Sequence, residues 1–176
     1  MTYITSVNEL NKLIRNVLIE QSGLSPVFVR SVHTEFGTDL DKKNGSIFTS
    51  LTQDDEVILF DLETNDTSNN MSETTGSQTV IYQSFRASII MYGHVASLLA
   101  EYLVARLRTQ EVRESLHEVG IHIEKVNSPT KLEEFKNGVV WARHDFNIEF
   151  ACQLLVPPIT TSYDYEEYTN ISIETI

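Results

Sequence analysis

The sequence predicts an α+β fold with two layers, in which two main helices pack on one face of an antiparallel sheet with long strands. Apolar residues recur at helical spacing in two segments, at about residues 6–21 and 94–108. Two further segments, at about 79–92 and 140–156, are rich in β-forming residues and long enough to supply the long strands. The order of the elements, a helix, then strands, then β-α-β-β, agrees with antiparallel pairing.

The first helix has a clear start and a clear end. Ser6 and Glu9 form a capping box, in which the serine caps the helix and the glutamate reaches back. Gly23 and Pro26 then end the helix. The apolar positions of its buried face are Val7, Leu10, Ile14, Val17 and Leu18.

The next part of the chain is expected to hold short strands and one long loop. Residues 26–32 are β-rich, Asn44-Gly45 is a hairpin signal, and Glu56–Leu62 reads as a strand. A polar segment follows at about 63–78, with Met71 as its one strongly apolar residue. Because it cannot bury apolar surface to offset its ordering entropy, we expect a long polar loop.

The second half alternates between strands and helices. A first long strand at 79–92 is broken by Gly93, and the second main helix follows at 94–108. A shorter amphipathic segment covers 111–118, and an alternating strand covers 121–126. The polar residues 129–136 are expected to form a short helix or turn, closed by Asn137-Gly138.

The most informative segment runs from Val140 to Val156. Its even positions are mostly apolar and its odd positions mostly polar, in strict alternation over 17 residues. A strand of this length spans ~55 Å at about 3.3 Å per residue. We therefore expect it to bend, bulge or project beyond the body before Pro157-Pro158 ends it.

Charge is distributed unevenly along the chain, whose formal net charge is -12. Residues 35–76 hold two basic and ten acidic groups, and residues 160–176 hold no basic and four acidic groups. The chain is expected to fold as one domain over 1–159 with an acidic tail or arm at 160–176. The charge argues against a dedicated nucleic-acid binder and against docking on an anionic membrane.

Targeting and redox signals are sparse. Cys152 is the one cysteine, so no internal disulfide is possible, and a lone cysteine fits a reducing compartment. The N-terminus lacks the basic and apolar regions of a signal peptide, and no apolar run approaches the roughly 20 residues of a membrane helix. We expect no membrane partner.

No catalytic or metal-binding signature is found. The five histidines and the single cysteine make no zinc spacing, and no phosphate loop or nucleophile elbow occurs. His144 is expected to be a satisfied core histidine and Cys152 an inert buried thiol. The sequence therefore predicts no enzyme, no metal site and no cofactor.

The polar face of the long strand is the first candidate interaction surface. A tryptophan and an arginine on a polar sheet face are typical of interface anchors. The alternative is an ordinary exposed face with cross-strand ion pairs. The end of the tail is a second candidate, either as a strand added to a neighbour's sheet edge or as a disordered end. The candidate interface residues are Trp141, Arg143, Asp145, Glu149, Ile171 and Ile173.

In the order and pattern of its predicted elements, the chain resembles the neck or tail-terminator (tail-completion) proteins of tailed bacteriophages. The resemblance rests on residues 79–156: a long strand ending in Tyr92-Gly93, an Ala/Leu-rich helix from His94 to Arg108, the Gly120–Ile123 strand, and the strand containing Arg143–Ile148. It implies a virion protein of the tail or neck that is assembled in the host cytoplasm. It also implies a homo-hexameric ring that caps the head-proximal end of the tail tube and joins it to the head connector.

The resemblance further implies that genome DNA passes through the ring without specific binding. Tail-tube proteins, sheath proteins in a contractile tail, and head connector or adaptor proteins are the implied partners. Carboxylates facing the lumen would repel DNA phosphates. The candidate acidic residues are Asp54, Asp55, Glu56, Asp66 and Glu73. Another head-tail connector or a baseplate component is the alternative, ahead of a non-ring interaction domain or an enzyme.

Overall fold

The fold is described from a computed structural model. The described residues are 4–31, 55–65, 71–75, 78–136 and 139–156. The Asn44-Gly45 hairpin signal, Asp54, Asp66 and the tail with Ile171 and Ile173 lie outside them.

The described residues contain three α-helices: α1 (Val7–Ser22), α2 (Ala96–Leu107) and α3 (Gln110–Glu118). The predicted serine cap is confirmed, because the Ser6 hydroxyl accepts a hydrogen bond from the Glu9 backbone N–H at 3.2 Å. The Glu9 carboxylate, however, accepts from the backbone N–H and hydroxyl of Thr5, both at 2.8 Å, instead of from Ser6. Gly23 ends α1 in the left-handed conformation that glycine favours.

Seven strands form one sheet within the described residues. Their bounds are β1 (Val29–Ser31), β2 (Val57–Thr64), β3 (Met71–Thr75), β4 (Gln78–Tyr92), β5 (Ile121–Val126), β6 (Thr130–Lys136) and β7 (Val139–Val156). A single turn of 3₁₀ helix at Pro26–Phe28 precedes β1. The α+β fold with long strands is confirmed.

The sheet consists of two long hairpins. In the first, β2 and β3 pair with β4; in the second, β5 and β6 pair with β7. Strands β4 and β7 form its antiparallel centre, paired from Thr79 with Val156 to Tyr92 with Arg143. Strands β2 and β3 follow one another along the other edge of β4, and β5 and β6 follow one another along the other edge of β7. Strand β1 pairs with β2 in parallel, and the other pairings between these named strands are antiparallel.

Two segments differ from their predicted state. The segment expected as a polar loop at 63–78 contains the end of β2, all of β3 and the start of β4. The segment expected as a helix or turn at 129–136 is mostly strand β6. Strands β3 and β6 contain few apolar residues, and backbone hydrogen bonds to a long neighbouring strand hold them in the sheet. A local hydrophobic pattern does not reveal pairing of this kind.

The three helices cover one face of the sheet, as predicted for the two main ones. The core between the layers joins Leu10, Ile14 and Leu18 of α1 and Leu103 of α2 to alternating strand residues. The strand residues at its centre include Phe60, Phe85, Ile89, Phe146, Ile148 and Phe150. The rings of Phe85 and Phe150 stack across β4 and β7 with their centroids 5.9 Å apart.

Strand β7 projects beyond its central partner, as its length predicts. Its pairing with β4 stops at Arg143, while its pairing with β6 continues to Val139. The β6–β7 hairpin therefore extends past the end of the central strand pair. The two hairpin turns, between β3 and β4 and between β6 and β7, lie at opposite ends of the sheet.

Candidate assembly surfaces

The predicted anchor residues of β7 lie on the sheet face that points away from the helices. The buried side chains His144, Phe146 and Ile148 alternate with Arg143, Asp145 and Glu149 along the strand. We call this face the outer face. Its residues are brought together by the β4–β7 pairing, which sets Tyr92 opposite Arg143 and Arg86 opposite Glu149.

Trp141 also lies on the outer face, but it is not an exposed anchor. Its side chain is only 7% exposed, and it forms a second small core with Val57, Leu59 and Tyr92. The expectation of an exposed tryptophan is therefore wrong. The apolar neighbours come from β2 and β4, so the polar pattern of β7 alone does not reveal them.

Arg143 is the centre of a polar network beside this small core. Its Nε and Nη2 donate to the two Asp145 carboxylate oxygens at 2.8 and 2.6 Å, a bidentate arrangement. Its Nη1 donates to Glu134 Oε2 of β6 at 3.2 Å, and the Tyr92 hydroxyl of β4 donates to the same oxygen at 2.5 Å. The hydrogen bond to Asp145 raises the pKa of Arg143, so the guanidinium stays charged.

The network joins the central strands to the projecting hairpin. Burial, followed by the hydrogen bond to Glu134, raises the pKa of the Tyr92 phenol, which therefore remains a donor at neutral pH. The bonds link β4, β6 and β7 at the point where the hairpin leaves the sheet. Because Asp145 and Glu134 already occupy the guanidinium, Arg143 acts here as a positioning residue for the hairpin.

Glu149 has a weaker partner on the same face. One carboxylate oxygen lies 3.8 Å from Arg86 Nη2, and both side chains are partly exposed. An ion pair of this kind contributes roughly 0–1 kcal/mol. This part of the outer face agrees with the alternative prediction of an exposed sheet face with cross-strand ion pairs.

The acidic residues predicted for a lumen are not one cluster within the described residues. Glu56 lies at the start of α2, where its Oε1 accepts from the Val95 backbone N–H at 2.7 Å. Burial raises the pKa of this carboxyl, while the hydrogen bond from Val95 opposes the rise. Asp55 is partly buried, and Glu73 lies on β3. Glu56 therefore serves as a cap for a helix whose own N-cap residue, Val95, offers no side-chain hydrogen bond.

The nucleophile and histidine candidates are buried. Cys152 lies in the core, and burial raises the pKa of its thiol to about 12, which favours the unreactive protonated form. His144 is buried on the helix side of β7, opposite Met91.

Among the described residues no group of three or more metal-ligating side chains occurs. No helix in the described part of the chain is long and apolar enough to span a membrane.

Two exposed apolar surfaces were not predicted from the sequence. At the end of the β6–β7 hairpin, Phe135 and Val140 form a cross-strand pair and are 74% and 55% exposed. On α2, Leu98 and Tyr102 are 68% and 51% exposed. The sequence signal for the first surface is that Phe135 and Val140 flank Asn137-Gly138, and it carries meaning only once residues 130–136 are known to be a strand.

The chain is similar to a family of known proteins over most of its length. A family model described as phage neck terminator protein matches residues 8–176, which is all but the first seven residues. No curated protein matches the chain.

Proposed function

The chain belongs to the phage neck terminator family, and from this premise we propose that it forms a ring that closes the head-proximal end of a phage tail tube. Family membership supports a structural role in the neck or tail of a virion. The ring is proposed to be a homo-hexamer that stops tube polymerisation. It would then present its other side to the head connector proteins.

The observation that carries this proposal is the two-ended shape of the sheet. The central β4–β7 pair runs from Thr79 opposite Val156 to Tyr92 opposite Arg143, about 45 Å at ~3.4 Å per residue. The connection from β3 to β4 and the connection from β6 to β7 lie at opposite ends of this pair. A protein that joins a tube to a connector needs one contact surface on each side, and the two ends of the sheet supply candidates for them.

The charge of the chain supports a passage for DNA. The net charge of -12 disfavours a grip on phosphate, and the two acidic segments, 35–76 and 160–176, hold most of the excess acid. We propose that Asp54, Asp55, Asp66 and Glu73 contribute to an acidic lumen. Glu56 is left out of this set because its carboxylate caps α2.

A different connector or a baseplate component is the second candidate from the same virion. Its support is the same two-ended sheet, since any component between two assemblies needs two contact surfaces. We propose no catalytic role, because Cys152 is buried and held as a thiol. A neck position and a baseplate position predict different defects when the protein is missing.

The test is the length of tails made without this protein. In cells producing the phage from which this gene is deleted, a terminator predicts tubes of uncontrolled length that fail to join heads. Supplying the chain from a plasmid is expected to restore a single tail length and joined particles. Tails of normal length that lack only their distal structures would contradict the neck assignment and favour the baseplate.

A further inference from the structure

Two histidines meet at the edge of the sheet, where α3 passes into β5. His117 lies in the last turn of α3, and His122 is the second residue of β5. Gly120 lies between them with a φ of +82°, which lets the chain reverse direction within a few residues. The centroids of the two imidazole rings are 6.5 Å apart, and the ring planes are nearly perpendicular. The turn therefore brings together two side chains that are both able to bind a metal ion.

Both imidazole groups are accessible to a ligand. The two side chains are exposed, and neither has a hydrogen-bond or ion-pair partner within the described part of the chain. They line a surface pocket of about 290 Å³ together with Tyr82 and Gln153, which lie opposite each other on β4 and β7. At roughly 30 Å³ for each water molecule, this volume holds an ion and several waters.

The distance between the rings is close to the distance that a shared ion requires. A metal ion about 2.0–2.1 Å from each ligating nitrogen places the centroids of the two imidazoles roughly 5–6 Å apart. The observed separation of 6.5 Å is slightly larger. Because both side chains are exposed, a change of rotamer can bring the two rings to the chelating distance.

The ligand atoms select the class of ion. Imidazole nitrogen suits Zn²⁺, Cu²⁺ and Ni²⁺, whereas Mg²⁺ and Ca²⁺ prefer oxygen ligands. Cys152 also borders the pocket, but burial raises the pKa of its thiol, so it supplies no thiolate ligand. Local charge favours a cation, because residues 110–126 hold four acidic and two basic groups. The C-terminal end of α3 adds a partial negative charge beside His117.

We propose that His117 and His122 chelate one divalent transition-metal ion, and that water molecules complete its coordination. The ion joins the end of α3 to the edge strand β5, so it favours the folded chain over the unfolded chain. Two protein ligands are fewer than the three or four of most zinc sites, so binding is expected to be weaker than at a structural zinc site. Metal binding by these residues requires no ring, so its outcome is independent of the proposed ring function.

The test is a calorimetric titration of tag-free, full-length protein with Ni²⁺, after treatment with EDTA and dialysis. We expect wild type to bind one Ni²⁺ per chain, and an equal concentration of Mg²⁺ is expected not to compete. His117→Ala and His122→Ala are each expected to weaken binding by roughly tenfold or more, because a single imidazole remains. Both residues are exposed, so circular dichroism is expected to show an unchanged fold in both variants.

The matched control is His94→Ala. His94 is also an exposed histidine, but it lies just before α2 and does not line the pocket. This variant is expected to bind Ni²⁺ as wild type does. Wild-type protein that binds no Ni²⁺ would overturn the proposal. So would binding that either His117→Ala or His122→Ala leaves unchanged, or binding that His94→Ala weakens as much as they do.

Thermal unfolding tests the link between α3 and β5. Ni²⁺ at about five times its measured Kd is expected to raise the melting temperature of wild type and of His94→Ala by roughly 2–4 °C. At the same Ni²⁺ concentration, His117→Ala and His122→Ala are expected to show no rise. An unchanged wild-type melting temperature, or an equal rise in all four proteins, would mean that the ion does not join α3 to β5 and would overturn the proposal.

Discussion

Trp141 and Arg143 stand two positions apart on the outer face of β7, and the structure separates their roles. Trp141 fills a small core with residues of β2 and β4. Arg143 is held by Asp145 and Glu134 at the base of the hairpin. Removing either side chain therefore acts first on the chain itself, and only through it on any contact with another subunit.

For Trp141→Ala we expect a loss of about 3 kcal/mol in the free energy of unfolding, as for buried aromatic residues elsewhere. Urea denaturation followed by circular dichroism measures it. Phe135→Ala is the matched control, because an exposed aromatic side chain contributes within roughly 0.5 kcal/mol. A Trp141→Ala protein as stable as wild type but unable to assemble would restore the view of Trp141 as an interface anchor.

Glu56 is expected to make the free energy of unfolding depend on pH, and its environment decides the sign of that dependence. Burial raises the pKa of this carboxyl in the folded chain, so its contribution to stability is full below the ordinary carboxyl pKa of about 4.3. That contribution is lost as the pH rises through the raised folded pKa. Glu56→Gln keeps an acceptor for the Val95 N–H and removes the titration, so wild type is expected to lose stability relative to this variant as the pH rises above about 4.3.

The companion variant Glu56→Ala tests the cap. It leaves the Val95 N–H without this acceptor, and we expect it to be about 1 kcal/mol less stable than Glu56→Gln at pH 7. Unfolding curves across the pH range check both statements. Equal stability of the two variants, or a difference between wild type and Glu56→Gln that does not change with pH, would contradict this account of the carboxyl.

At the scale of elements, the connection from β4 to α2 depends on Gly93. Its φ is +133°, and an added Cβ would lie within 2.6 Å of the Glu56 carboxylate atoms. Gly93→Ala is therefore expected to destabilise the chain by about 1–3 kcal/mol, measured by thermal or urea unfolding. Gly23→Ala is the control, since Gly23 has a φ of +70° with open space around it, and its expected cost is about 1 kcal/mol. Equal costs at both positions would remove the role assigned to the Glu56 contact.

The elements with a strong local pattern were predictable from the sequence. The first helix was expected at 6–21 and lies at Val7–Ser22, and the longest strand was expected at 140–156 and lies at Val139–Val156. Strands β3 and β6 were not predictable, because backbone pairing with β4 and β7 stabilises them. The burial of Trp141 was missed for the same reason, since its neighbours are distant in sequence. The exposed surfaces on α2 and the hairpin emerge only after the fold is known.

At the scale of the whole molecule, the acidic tail at 160–176 follows the last described strand in the sequence. The described core is complete by β7, whose pairing with β4 reaches Val156. A chain ending before Pro157 is therefore expected to keep the wild-type melting temperature but to assemble poorly, if the tail adds a strand to a neighbour. Calorimetry and mass photometry of the truncated chain check the two parts. A truncated chain that assembles on tails as well as wild type would refute a role for the tail in assembly.

The charge of the chain has a consistent explanation at this scale. The net charge of -12 comes from two segments, 35–76 and 160–176, and the first of these contains strands β2 and β3 of the sheet. A chain with this excess of acid suits an assembly through which DNA passes without binding.

The central claim is that copies of this chain form a ring between the tail tube and the head connector. Cryo-electron microscopy of the neck in intact virions tests it most directly. The account predicts one ring of six copies at the head-proximal end of the tube, with the two ends of the β4–β7 strand pair facing the two neighbouring assemblies. Density for this chain at the distal end of the tail, or copies in the neck that do not form a closed ring, would contradict it.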